Sequence, residues 1–197
     1  IIGHIGIIRG ILTQEGIDDK TQNAVFQRMD KKEYEAALKL IESPKAQQML
    51  QNLIAIKGKD WQDTIQQIKT LVSNYENAKA ATDNLTEILK LVTQSANITL
   101  TVQPAFARGL EYYTGIIFEL YIPELDIALG GGGRYDRLIE AFGGEPTPAV
   151  GCADGIDRVA IALQTQKTTP TTNLHKRVAV IPINDTLKPE TLKIAQT

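Results

Sequence analysis

Thr114-Gly115-Ile116-Ile117-Phe118-Glu119-Leu120-Tyr121-Ile122, followed by Pro123-Glu124-Leu125-Asp126 and Ile127-Ala128-Leu129, is the stretch that decides the fold. Ile116, Phe118, Leu120 and Ile122 fall on one side of an extended chain and Ile117, Glu119 and Tyr121 on the other, the period of two that marks a strand. Pro123–Asp126 reads as a turn and Ile127–Leu129 as a second strand. Two strands joined by so short a connection must be antiparallel. Upstream, Ile98, Leu100 and Val102 alternate with Thr99, Thr101 and Gln103, which predicts a further half-buried strand. Downstream come four glycines, a helix expected over Arg134–Phe142, a loop at Gly143–Pro148, a short strand at Ala149–Cys152 and a helix from about Ala153 to Leu163. The expected fold class is α+β, an antiparallel sheet flanked by helices.

Toward the N-terminus, residues 1–12 are apolar and β-branched with Gly3, Gly6 and Gly10 interspersed, and read as a short strand followed by a helix start near Gly6. Gly16 and Asp18-Asp19 form a turn and an N-cap signal. Residues 20–95 have a different texture. Leu38, Ile41, Ile54, Ile65, Ile68, Leu71, Val72, Leu85, Ile88, Leu89 and Val92 recur at helical spacing. Pro44 and Lys57–Asp60 divide the pattern into three or four helices, with Asp60 as the N-cap of one running through Val72. The region reads as a helical insertion whose charges form a solvated face. Residues 165–176 have linker composition. Arg177–Ile183 is expected to be a strand and Lys188–Gln196 a helix, the opening of an α/β domain. The expected division is 1–19 strand-helix of the core, 20–96 insertion, 97–164 core, 165–176 linker and 177–197 the start of a further domain. The first residue is Ile1 and the last ones lie in a helical pattern, so both ends read as cuts through a longer protein.

Among 197 residues, 43% are hydrophobic and 22% charged, with a net charge of −2. That is ordinary for a globular protein and offers no global basic field for nucleic acid. The lone thiol, Cys152, cannot make an internal disulfide or a zinc site; flanked by apolar residues, it is expected to be buried and inert. A reducing, cytoplasmic setting follows as an expectation. No apolar run approaches the ~20 residues that span a bilayer, and no membrane partner is expected. The apolar start contains His4 and lacks a basic segment and a cleavage site, so it does not read as a signal peptide. His4 and His175 have no serine, cysteine or metal-ligand setting, and no protein-bound metal is expected.

Three segments carry chemistry. In Arg108-Gly109-Leu110-Glu111-Tyr112-Tyr113-Thr114-Gly115, the arginine offers a planar fork of donors to a carboxylate or phosphate. Read as a strand, the two tyrosines would point to opposite faces and only one would meet a pocket; a hairpin with an exposed salt bridge explains the segment equally well. Gly130-Gly131-Gly132-Gly133-Arg134-Tyr135-Asp136 allows close backbone approach, and its N–H groups could cradle an anion if it is a turn. It matches neither the phosphate-loop nor the dinucleotide pattern, and a plain flexible turn remains open. Ala149-Val150-Gly151-Cys152-Ala153-Asp154-Gly155-Ile156-Asp157-Arg158 reads as strand, small-residue junction and helix. There Arg158 could simply pair with Asp154.

In this order and spacing, Arg108–Gly115, Gly131–Asp136 and Pro148-Ala149-Val150-Gly151 with Gly155-Ile156-Asp157-Arg158 resemble the two histidine-specific motifs and class II motif 3 of histidyl-tRNA synthetases. The resemblance is closest over Ala107–Leu163. It implies an antiparallel class II synthetase-like sheet, with residues 1–95 as strand-helix and helical insertion and 177–197 as the beginning of an anticodon-binding domain. It implies activation of histidine by ATP, supplied with Mg2+, to histidyl-adenylate, then transfer to tRNA(His) by a homodimer. Arg108 would be the catalytic residue, contacting the histidine carboxylate and the α-phosphate. Tyr113 would meet the imidazole with Tyr112 beside it, and Gly132 and Tyr135 would line the histidine pocket. Gly155 and Arg158 would bind ATP, Arg158 at the γ-phosphate. Glu111 stands where the family usually has Asp, and Cys152-Ala153-Asp154 is more polar than usual. Nothing resembles motifs 1 or 2, so the segment alone is expected to lack synthetase activity. The alternative is the synthetase-like regulatory subunit of ATP phosphoribosyltransferase, which lacks the anticodon domain.

Overall fold

The protein is described by a computed structural model covering residues 1–58, 60–95, 98–168 and 180–195. Strands β1 (Ile2–His4), β2 (Ile116–Ile122), β3 (Leu125–Arg134) and β4 (Val150–Asp154) pair antiparallel in that order. Ile117 lies opposite Gly3 and Gly133, Glu119 opposite Gly131, and Gly131 opposite Ala153. The register shifts between Leu120 and Ile122 as the chain enters the tight turn into β3.

The glycine run is not a turn: all four glycines lie inside β3, paired with β2 on one edge and β4 on the other. The strand expected at Ile127–Leu129 is therefore ten residues long, and the N–H groups expected as an anion cradle belong to a sheet interior. A second correction concerns Ile98–Gln103. Only Val102 forms an isolated, parallel bridge, to Ile2. The segment does run beside β1, with Ile2 N–H on Thr101 O (2.9 Å) and Gln103 N–H on Ile2 O (3.0 Å). It cannot lengthen into a strand because β1 has three residues and Pro104 lacks the next donor.

The helix expected over Arg134–Phe142 shrinks to α7 (Leu138–Ala141), because the main chain of Arg134 and Tyr135 is held in extended pairing. Thr114 N–H donates to Arg134 O (2.8 Å) and Tyr135 N–H to Ala149 O (2.8 Å). Helix α8 spans Ile156–Thr165 and α9 Lys188–Ala195. Of the strand expected at Arg177–Ile183, residues 177–179 lie outside the described residues, and 180–183 are not in a strand. His175 also lies outside the described residues.

The helical region contains α1 (Ile5–Gln14), α2 (Asp19–Asp30), α3 (Tyr34–Lys39), α4 (Pro44–Ala55), α5 (Trp61–Leu71) and α6 (Glu76–Ser95), five helices from residue 19 on rather than three or four. Pro44 begins a helix instead of breaking one, where its missing N–H costs nothing. Asp18, Ser43 and Asp60 each accept a first-turn N–H, from Thr21, Ala46 and Asp63. Helix α1 packs along α6, and Ile7, Ile8, Leu12, Leu50, Leu53, Ile68, Leu85 and Leu89 are fully buried in one cluster that reaches Ile117 of β2. Among the described residues no helix is long and apolar enough to cross a membrane.

Candidate active site

Strand alternation divides the sheet into two faces. Paired residues share a face, so Ile117, Glu119, Gly131, Gly133, Gly151 and Ala153 lie together, and Phe118, Gly132 and Cys152 lie on the reverse. The site is built on the first of these. Gly132 thus faces away from it, whereas Gly131 and Gly133 form its floor.

Tyr112 and Tyr113 do not diverge as strand neighbours would. Residues 111–112 form a turn, Tyr113 N–H reaches back to Leu110 O, and both rings enter one cluster. Their centroids are 4.7 Å apart, and Tyr135 meets them edge-on at 5.8 and 6.4 Å. Absence of a side chain makes the room. A Cβ at Gly133 would come within 2.8 Å of the Tyr113 ring, and one at Gly151 would overlap the Tyr135 hydroxyl. Burial, together with the Tyr112 hydroxyl, raises the Tyr113 phenol to about 12. It therefore stays neutral and able to donate a hydrogen bond at any physiological pH.

Tyr135 is fixed by a clamp. Arg134 Nε donates to both oxygens of Asp136 (2.9 and 2.7 Å), Asp136 Oδ1 accepts from Ala149 N–H (3.2 Å), and Thr114 Oγ1 accepts from Asp136 N–H (3.1 Å). The Arg134 hydrogen bond, then the Ala149 and Thr114 contacts, hold the Asp136 carboxyl below its ordinary range despite partial desolvation. The two motifs are thereby stitched to each other and to β4.

Arg108 sits on the loop before β2, about one-third exposed, and its Nη1 pairs with the largely buried carboxylate of Glu119. It lies close enough to Tyr113 for its charge to be felt there. At the other end of the face, Gly155 is extended (φ −80°, ψ 101°) and its N–H donates to Leu129 O (2.7 Å), which carries the alternation of β4 one residue further. The stem of Arg158 lies against Gly155, and its Nη1 donates to Ala128 O at 2.7 Å rather than pairing with Asp154. Arg108 and Arg158 therefore open on one face, with backbone anchors (Glu119 and Gly155) about 12 Å apart by strand spacing and rise. A cleft of about 660 Å³ beside the tyrosines is walled by Arg9, Asn23, Glu111, Tyr112, Thr114 and Arg137.

Two features escaped the sequence reading. Glu119 was visible as the one charge within an apolar strand, and the floor as glycines at alternate positions. Cys152 is exposed, not buried, on edge strand β4. His4 is buried as the N-cap of α1, its Nδ1 accepting from Gly6 N–H (3.1 Å). Among the described residues no group of three or more His, Cys, Asp or Glu could hold a metal ion.

Comparison with known proteins adds the family. The histidyl-tRNA synthetase family model matches residues 1–159. A histidine–tRNA ligase of Methanocaldococcus jannaschii is 35% identical over 161 residues, covering 80% of this chain and 38% of that protein. One from Methanococcus maripaludis strain C7 is 34% identical, covering 100% of this chain and 46% of its own length. The chain thus spans less than half the length of these relatives. A histidyl-tRNA synthetase structure from Nostoc sp. PCC 7120 shares the fold, with a TM-score of 0.71 at 23% identity, over 99% of this chain and 48% of that one. A Bacillus halodurans structure described as an ATP phosphoribosyltransferase regulatory subunit/histidyl-tRNA synthetase aligns with a TM-score of 0.69 at 26% identity, over 82% and 43%. With an arginine and three tyrosines gathered over a glycine floor, and a family model running through all three motifs, the chain belongs to the histidyl-tRNA synthetase family.

Proposed function

We propose that this chain supplies the amino-acid pocket and part of the ATP site of a histidine–tRNA ligase. A histidine carboxylate oxygen attacks the α-phosphorus of ATP, presented as its Mg2+ complex, and pyrophosphate leaves. A ribose hydroxyl at the end of tRNA(His) then attacks the adenylate carbonyl and AMP leaves. In-line displacement at phosphorus needs positioning and positive charge more than covalent help from the protein. Arg108 holds the carboxylate against the α-phosphate and meets the charge that develops there. Tyr113, neutral and supported by Tyr112 and Tyr135, hydrogen-bonds the imidazole. Such a polar pocket rejects apolar amino acids, which leave its groups unpaired. Gly155 allows Arg158 to lie along the sheet end and bind the γ-phosphate. Homodimer formation and a cytoplasmic setting belong to the same reading.

The observation that carries it is the cluster of Tyr112, Tyr113 and Tyr135 over Gly133 and Gly151, on the sheet face where Arg108 pairs with Glu119. The test is histidine-dependent ATP–pyrophosphate exchange by the full-length protein. Arg108→Ala is expected to lower the exchange rate on the order of 100- to 1000-fold while changing histidine affinity far less. An unchanged rate overturns the role of Arg108. The Bacillus halodurans neighbour supports a second reading, a regulatory subunit. Histidine binding with no exchange decides for that one.

A further inference from the structure

Resting on the synthetase reading, we infer that Glu119 is a positioning residue for Arg108: it holds one edge of the guanidinium so that the other edge faces the reacting phosphate. The pairing involves Nη1 alone, and among the described residues no acceptor lies at Nε or Nη2. An arginine side chain has many rotamers, and an unheld guanidinium would lose that freedom only when substrate binds. Glu119 removes most of it beforehand.

The carboxylate is itself held. It projects from the middle of β2, opposite Gly131, on the same face as Gly133 and Gly151. A Cβ at Gly131 would stand 3.2 Å from its Cγ, so only glycine leaves its stem undisturbed. Its second oxygen accepts a 2.8 Å hydrogen bond from the Tyr121 hydroxyl, two residues along the same face. Burial, then Glu119, raises that phenol to about 12, so it remains a donor throughout the working range. The Glu119 side chain is 13% exposed against 31% for Arg108, which places the fixed member of the pair inside and the presented member toward the ligand. Two features set this pair apart from a surface salt bridge: a carboxylate with both oxygens engaged, and an arginine with one edge free among the described residues.

The experiment is a double-mutant cycle on histidine-dependent ATP–pyrophosphate exchange in the full-length protein, with thermal unfolding recorded for each variant. Glu119→Gln is expected to lower kcat about 10- to 100-fold with KM for histidine and ATP within about threefold, the pattern of lost orientation. In the Arg108→Ala background the same change is expected to cost almost nothing further. Tyr121→Phe, which deletes one hydroxyl at a partly exposed position, is expected to lower kcat by roughly threefold. It decides the matter alone should Glu119→Gln not fold. Equal losses from Glu119→Gln with and without Arg108, or an unchanged kcat in Glu119→Gln or Tyr121→Phe, overturn the proposal. Absence of exchange in the unmodified protein overturns the synthetase reading and this proposal with it.

Discussion

The helical region and the β3–β4 end of the sheet are built on opposite terms. In the former, Ile7, Leu12, Ile68, Leu85 and Leu89 are wholly buried, and Asp18, Ser43 and Asp60 close their helix starts. In the latter, Val150 is 70%, Ile156 83% and Phe142 86% exposed, yet the glycine floor and Arg158 belong to this end of the sheet or lie against it. The two regions meet at Ile117 and Tyr113, which close the buried cluster; beyond them the sheet end presents polar groups on a scaffold with little burial of its own. Such a division places local opening at the sheet end before the helices.

The contrast breaks first at the helices. Leu85→Ala removes a fully buried side chain between α6 and the core, and is expected to cost about 2–5 kcal/mol, read by thermal or denaturant unfolding. A cost below about 1 kcal/mol would mean that α6 is not where stability resides.

Acid comes next. Burial holds the His4 imidazole down to about 4 from 6.5, Arg134 adds to the depression, and a hydrogen bond with Asn84 opposes it. The unfolded chain binds the proton before the folded one does, so stability rises with pH across this window. It is complete above about pH 6.5 and falls by roughly 3 kcal/mol as the pH drops toward 4. Unfolding measured between pH 7 and 4 checks this. His4→Asn, which keeps a capping acceptor without a titrating group, is expected to flatten that part of the profile.

Asp60→Ala, removing the cap of α5, is expected to cost about 1 kcal/mol. Smallest of all, Val150→Ser on edge strand β4 is expected to shift stability by no more than about 0.5 kcal/mol. A large loss there would erase the distinction between the two regions.

What could be read in advance follows the same division. The helices announce themselves through threefold and fourfold apolar spacing and through side-chain caps, both local signals, and the end of α5 was placed to within a residue. Alternation located β2. It overextended Ile98–Gln103, because whether an alternating segment pairs depends on the length of its neighbour and on Pro104, and only the first of these is non-local. The glycine run was missed as a strand because glycines carry no side-chain pattern and gain their conformation from partners on both edges. At the site, Arg108, Tyr113, Tyr135 and Arg158 were legible as residue types in a motif. The convergence of Tyr112 with Tyr113 was not, since it comes from a turn at 111–112 where a strand was assumed. Glu119 is legible as the one charge in that alternation, but its pairing with Arg108 on the preceding loop is not.

A surface bottomed by Gly131, Gly133 and Gly151 has no atom left to give up. Any replacement there adds bulk toward the tyrosines or Glu119, so single changes can shrink the space above it but never enlarge it. A ligand held over this floor, as proposed, would therefore be exchanged only for a smaller one through changes in its base; admitting a larger one requires change in the surrounding walls.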